Sequence, residues 1–135
     1  MTVQFSDAVR NARADAVETT IGTSPIMKLR TGAQPANCAA ADSGTVCATL
    51  TLPSDWLSAS SAGVKSKLGT WQDLLADAAG TIAHYRIYDS SGTTCHEQGS
   101  VTLTGSGGDL TLDNTNVQPN QAVTITSYSM TEGNA

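Results

Sequence analysis

Basic residues are scarce in this chain: seven Lys and Arg are scattered along 135 residues against twelve Asp and Glu, for a net charge of −5. A protein that grips a nucleic-acid backbone needs a clustered cationic face to displace counterions, so a nucleic-acid partner is not expected. Aromatics are nearly as rare, with two Trp, three Tyr and one Phe. The core must then come mostly from Val, Leu, Ile and Ala, and contacts with other copies would add to a modest stability. No apolar run approaches the roughly 18 residues of a membrane span, and charges interrupt the first segment where a signal peptide would carry its apolar stretch. No membrane partner is expected, and synthesis in the cytoplasm is. The three cysteines, Cys38, Cys47 and Cys95, form no CxxC pair. An odd number without a secretion signal points to free thiols rather than a disulfide framework.

Ser and Thr fill 33 positions, Ala 18 and Gly 12. Alternating Thr favours strands and Gly with Ser favours turns, so the composition leans to β structure. The one convincing helix lies at the start, where Phe5, Val9, Ala12, Ala16, Val17 and Ile21 recur at three- and four-residue spacing. Ser6 is placed to cap it, Asp7 favours its dipole and Gly22 stops it. Its Ala-rich stripe stabilises an isolated helix poorly, so Phe5, Val9, Ala12, Val17 and Ile21 should dock either on the chain's own body or on a neighbouring copy. These five are the candidate interface residues, for another copy or for a different partner.

From Pro25 onward strands alternate with turn chemistry. Expected strands are IMKLRT at 26 to 31, VCATLTL at 46 to 52, a weaker one at TWQDLL, a hairpin built from TIAHYRIYD and TCHEQGSVTLTG, then DLTLD and AVTITSYSM. A long surface loop with Pro35 and Asp42-Ser43-Gly44 joins the first two, and a polar connection that could hold one helical turn spans Ser54 to Gly69. In the last strand the apolar frame changes near Ser127, which implies a bulge or a change of neighbour. In the hairpin, direct pairing would put Ala83, Tyr85, Ile87, Cys95, Val101 and Leu103 inside and His84, Arg86, Tyr88, His96 and Gln98 outside. Cys47 alternates out of its apolar frame. The expected fold is mainly β, an antiparallel β-sandwich of which the jelly roll is one form, with a short N-terminal α-helix: residues 1–22 a helical arm, residues 23–135 the sandwich, one structural domain overall.

Residues suited to chemistry do not combine into a site. Cys95 and His96 are adjacent on a strand and point to opposite faces, which separates a nucleophile from its base. His84 and His96, read as surface residues, lack a carboxylate to complete a metal site. Asp109, Asp113, Asn114 and Asn116 lack EF-hand spacing and fit turn capping, and TGSGGD at 104 to 109 lacks the Lys-Ser/Thr of a phosphate loop. Trp56 and Trp71 could line a sugar site but fit core anchors better. No enzyme activity, cofactor or metal is expected.

Three stretches, AVRNARADAVETTIGTSPIMKLRTGAQPANCAAADSGTV, then LPSDW with GTWQD, and HYRIYDSSGTTCHEQGSV through GDLTLDNTN, resemble small proteins encoded among the head genes of tailed bacteriophages. The similarity spans nearly the whole chain, and Cys47, Leu74-Leu75 and Ile82 depart from it, standing where smaller or more polar residues are expected. The resemblance implies a virion structural protein on the capsid exterior, made in the host cytoplasm: a cement or decoration protein whose partners are the major capsid protein and itself, as homo-dimer or homo-trimer. The alternative is a tail-associated adsorption or carbohydrate-binding β-sandwich module, because the same fold hosts both tasks. Exposed Trp and Tyr in a groove would favour sugar binding, and an apolar rim near the helix would favour assembly.

Overall fold

A computed structural model describes residues 2–133. Helix α1 (Asp7–Ile21) precedes ten strands: β1 (Ile26–Thr31), β2 (Val46–Thr51), β3 (Val64–Ser66), β4 (Trp71–Asp73), β5 (Gly80–Tyr88), β6 (Cys95–Leu103), β7 (Leu110–Leu112), β8 (Asn116–Val117), β9 (Val123–Ile125) and β10 (Ser129–Thr131). The fold is mainly β with one short helix, as the alternation predicts, and its main sheet is curled. That sheet runs β2-β1-β5-β6-β7, with β8 paired to one end of β5; β10 pairs β3 and β4 pairs β9 in two small sheets. The frame change near Ser127 is a change of neighbour, since β9 runs beside β4 and β10 beside β3. Ser54–Gly69 holds β3 and two isolated bridges rather than a helical turn, and the supposed turn region at 114–121 contributes β8.

One pairing departs from the expected antiparallel scheme. β6 and β7 are parallel, Val101 opposite Leu110 and Leu103 opposite Leu112. Parallel neighbours usually need a crossover of about a dozen residues; here residues 104–109 suffice. The segment TGSGGD reverses direction twice because Gly105 and Gly107 take φ of 89° and 83°, which side chains resist. Ser106 donates to the Leu103 carbonyl at 2.9 Å and Gly108 to Thr102 Oγ1 at 2.9 Å, so this turn is hydrogen-bonded into place.

The core is one cluster that takes side chains from all three sheets and the helix: Met27, Leu29, Leu50, Trp56, Trp71, Ile87, Leu110, Ile125 and Tyr128 among others. Trp56 and Trp71 are fully buried with ring centres 5.9 Å apart, and Trp71 meets Tyr128 at 5.1 Å. Burying each large apolar side chain contributes roughly 1.5–3 kcal/mol, so these few aromatics supply much of the core.

Three one-residue bulges set the faces of the main sheet. Leu29 pairs Ala48 but Arg30 pairs Val46, leaving Cys47 as the extra residue. Arg30 pairs His84 but Thr31 pairs Ile82, leaving Ala83 extra; Ile87 pairs Glu97 but Tyr88 pairs Cys95, leaving His96 extra. Each bulge inverts the alternation beyond it, and this corrects several expectations. Cys47 is buried in the core, Ala83 is exposed, and Cys95 is half-buried on the face of Tyr88 rather than inside beside Ile87; Leu103, expected inside, is exposed for a different reason, standing at the very end of β6. Glu97, beyond the bulge, keeps the inward place opposite Ile87.

The outer face of β5 is covered as well. His84, Arg86 and Tyr88 are all buried, so His84 is no surface histidine. The loop between β1 and β2 lies over them: Gln98 Nε2 donates to the Pro35 carbonyl at 2.8 Å, Arg86 Nη2 to the carbonyls of Asn37 at 3.1 Å and Cys38 at 2.9 Å, and His84 Nδ1 sits 2.9 Å from the Gly32 carbonyl. Asp42 receives Arg86 on one oxygen, together with Tyr88 Oη at 2.6 Å, and Arg30 Nη2 on the other at 3.0 Å. Asp42→Ala would strand two buried guanidinium groups, so it should lower unfolding free energy in urea by about 3 kcal/mol. A loss below about 0.5 kcal/mol would mean that the loop carbonyls hold Arg86 without the carboxylate.

Candidate functional site

The helix forms as its caps predict. The Ser6 side chain accepts from the Val9 amide at 3.3 Å, Asp7 sits in the first turn, and the Gly22 amide closes onto the Glu18 carbonyl at 2.9 Å. Of the five candidate interface residues, the structure keeps two for the chain itself. Ile21 is buried in the core and Val17 packs against it, with Ala14, absent from the predicted stripe, fully buried beside them. Ala12 is exposed, Phe5 is 44 % exposed and Val9 42 %, and Val3 before them reaches 67 %. The Arg13 guanidinium lies 5.3 Å from the centre of the Phe5 ring. The helix thus docks on its own body by its C-terminal half and presents apolar side chains at its N-terminal end.

Polar contacts fix that docking. Lys65, buried on β3, reaches Asp15 at 2.8 Å and Glu18 at 2.7 Å across the helix. Burial alone would lower the Lys65 ammonium; its hydrogen bonds to Asp15 and Glu18 outweigh that and hold its pKa above the ordinary value. The Gly63 amide donates to Asn11 Oδ1 at 2.8 Å, Arg10 Nε to the Glu132 carbonyl at 2.8 Å, and Trp56 Nε1 to the Gly22 carbonyl at 3.0 Å. Arg13 pairs the Glu132 carboxylate at 2.9 Å. The arm is therefore a rigid presenter of its N-terminal end.

A second apolar display sits on the loop after β4. Leu74 is 61 % exposed and Leu75 64 %. The loop is pinned beneath them: Asp73 accepts from the Thr49 amide at 2.9 Å and the Leu75 amide at 3.0 Å, and the Asp77 amide donates to the Cys47 carbonyl at 2.8 Å. Leu74 and Leu75 stand out in the sequence as an apolar pair beside carboxylates; nothing in their periodicity assigns them a partner.

Groups able to titrate are drawn into structural roles. Glu97 faces the core, where it accepts from Tyr85 Oη at 3.0 Å and from Tyr128 Oη at 2.8 Å. Burial pushes its pKa above the ordinary 4.5, and the two tyrosine hydroxyls offset this only in part. Burial likewise raises both tyrosines, with the Glu97 charge adding to it. Gly99 makes room for this cluster, because a Cβ there would stand 2.6 Å from the Tyr85 ring. For Asp42, burial alone would raise the carboxyl, but the hydrogen bonds of Tyr88 and Arg86 and the charges of Arg30 and Arg86 hold it below 3.8.

The turn residues behave as capping groups. Asp109 accepts from the Ser100 amide and hydroxyl, both at 2.9 Å, Asp113 from Thr104 Oγ1 at 3.2 Å, and Asn114 from the Asn116 amide at 3.0 Å. Among the described residues no three His, Cys, Asp or Glu side chains converge as a metal site, and no helix is long and apolar enough to cross a membrane. His84 lies opposite Ser100, away from His96. Comparison with known proteins finds no matching family model, no matching curated protein and no matching solved structure.

These placements fix two measurable responses. Ile21→Asp buries a charge in the core and should destabilise the fold by more than about 3 kcal/mol; an unchanged melting temperature would contradict the docking described. Glu97 holds its proton more tightly folded than unfolded, so its contribution declines as pH rises from about 4.5 through the raised folded value; Asp42 has the opposite sign, stabilising above 3.8 and failing as pH falls through its depressed value. Glu97→Gln should remove the decline on the alkaline side and leave the acid limb in place, as read by urea unfolding across pH. An unaltered profile would mean that Glu97 does not titrate within the core.

Proposed function

We propose that the protein is a phage virion structural protein, a capsid cement or decoration protein that binds the major capsid protein lattice from outside as a homo-dimer or homo-trimer and stabilises the head. The observation that carries this reading is the exposed apolar group at the N-terminal end of a docked helix: Val9 on the helix, with Val3 and Phe5 in the segment that leads into it. Val3, Phe5 and Val9 remain 67 %, 44 % and 42 % exposed, so a partner that covers them gains a corresponding part of the roughly 1.5–3 kcal/mol of a full burial, and the docked helix limits the ordering cost at Val9. A lattice offers many copies of one surface, and oligomers engaging several at once multiply a modest single-site affinity. The resemblance of nearly the whole chain to head-gene proteins of tailed phages points the same way.

The tail-adsorption reading asks for an exposed aromatic platform to stack on sugar rings. Trp56, Trp71, Tyr85, Tyr88 and Tyr128 are instead buried. That distribution favours an assembly surface over a glycan groove.

A ligand that binds only the assembled lattice stabilises it by mass action. Particles lacking the protein should burst at lower temperature, and purified protein added back should restore them. Val9→Asp should keep the melting temperature of the free protein within about 2 °C, since the site is exposed, yet fail to restore the particles. Intact heads with lost adsorption to cells, together with binding of the isolated protein to surface glycans, would overturn the reading in favour of the tail.

A further inference from the structure

We propose that Cys38 and Cys95 are a disulfide-forming pair, whose oxidation staples the loop over β5 to strand β6. Cys38 and Cys95 line one solvent-open recess of about 650 Å³, with Asp42, Arg86, Tyr88 and Thr94 around them. The two thiols face the same recess and are near enough for Cys38 to bear on the ionisation of Cys95. Both thiols are free and half-buried, so a small oxidant can reach them.

Each cysteine is held by rigid structure. Cys95 is fixed opposite Tyr88 by the strand register, and its thiol points back to the Glu97 carbonyl at 3.3 Å. Cys38 is fixed through its own carbonyl, which accepts from Arg86 Nη2 at 2.9 Å while the same guanidinium holds Asn37 and Ala40 on either side. Cys47 cannot compete, being buried in the core with its sulfur against Gly80. The bulge at His96 is what turns Cys95 to this face. Without it Cys95 would lie beside Ile87 and never meet the loop.

Burial, reinforced by the neighbouring Cys38, pushes the Cys95 thiol up to about 11, with Arg86 opposing. Closure needs an oxidant and proceeds by thiolate attack, so it speeds up with rising pH. The oxidant is a low-molecular-weight disulfide. One cysteine thiolate attacks it, forming a mixed disulfide and releasing a first thiol; the second cysteine then attacks the mixed disulfide at the protein sulfur. The second thiol leaves. The two cysteines lose two electrons and two protons, and the small disulfide gains both to become two thiols. The cross-link closes the long chain segment between positions 38 and 95, which restricts the unfolded state strongly.

The test treats the reduced, folded full-length protein with oxidised glutathione at mildly alkaline pH, then blocks remaining thiols and maps peptides. The three free thiols should fall to one, Cys47, with a Cys38–Cys95 linked peptide and a melting temperature raised by roughly 5 to 15 °C. Reduction with dithiothreitol should reverse both changes. Cys95→Ser should instead stop at a glutathione adduct on Cys38, with no rise in melting temperature. Stable glutathione adducts on both cysteines of the wild-type protein, or a cross-link that forms only after unfolding, would overturn the pairing. The proposal stands or falls independently of the capsid reading, because none of its readouts involves a particle.

Discussion

A guanidinium that is 1 % exposed organises this fold. Arg86 sits in the middle of the central strand β5, on the face opposite the hydrophobic core, and a buried cation there must find acceptors for its donors or unfold the sheet. Its Nη1 and Nη2 groups find them in a single loop, at the carbonyls of Asn37, Cys38 and Ala40 and the carboxylate of Asp42, while Nε is left without a partner among the described residues. That one requirement orders an otherwise irregular segment. It also explains why a sheet with few aromatics has both faces of β5 buried, one by apolar packing and the other by ion pairing.

Much of this architecture is legible in the sequence, and what is not has a common physical origin. The helix, its caps, the hairpin and the change of partner near Ser127 follow from periodicity and turn chemistry, which are local. Sidedness fails at Cys47, Ala83 and His96, where one extra residue flips every side chain beyond it. Nothing in the local pattern marks these bulges, so Cys95 and Glu97, which would share a face in a regular hairpin, lie on opposite faces. The observed register puts Lys28 and Arg30 beside Arg86 and His84 on one face, a cluster of cationic and basic groups that Asp42 of the covering loop partly neutralises. The turn formers Pro35 and Asp42-Ser43-Gly44 mark that segment as a surface loop but do not show what it covers.

The helix is half legible for a different reason. Three- and four-residue spacing shows which side of α1 is apolar, but not what covers each part of it. Ala14, Val17 and Ile21 meet the chain's own core, and Lys65 clamps the helix by two carboxylates, which leaves Phe5 and Val9 at the outer end. A helix held this firmly has little conformational freedom left to lose, so apolar groups at its tip are well suited to a binding role. Leu74 and Leu75, on a loop pinned by Asp73 and Asp77, add a second fixed apolar point. The aromatic side chains that a glycan surface would use are spent on the core instead.

The proposed capsid role is tested most directly by electron cryomicroscopy of tailed-phage heads to which the purified protein has been added. The account predicts density for the fold on the outside of the head, repeated with the capsid lattice, with residues 2–9 against the major capsid protein. Density at the tail tip, or on the head with the N-terminal end of the helix turned to solvent, would contradict it.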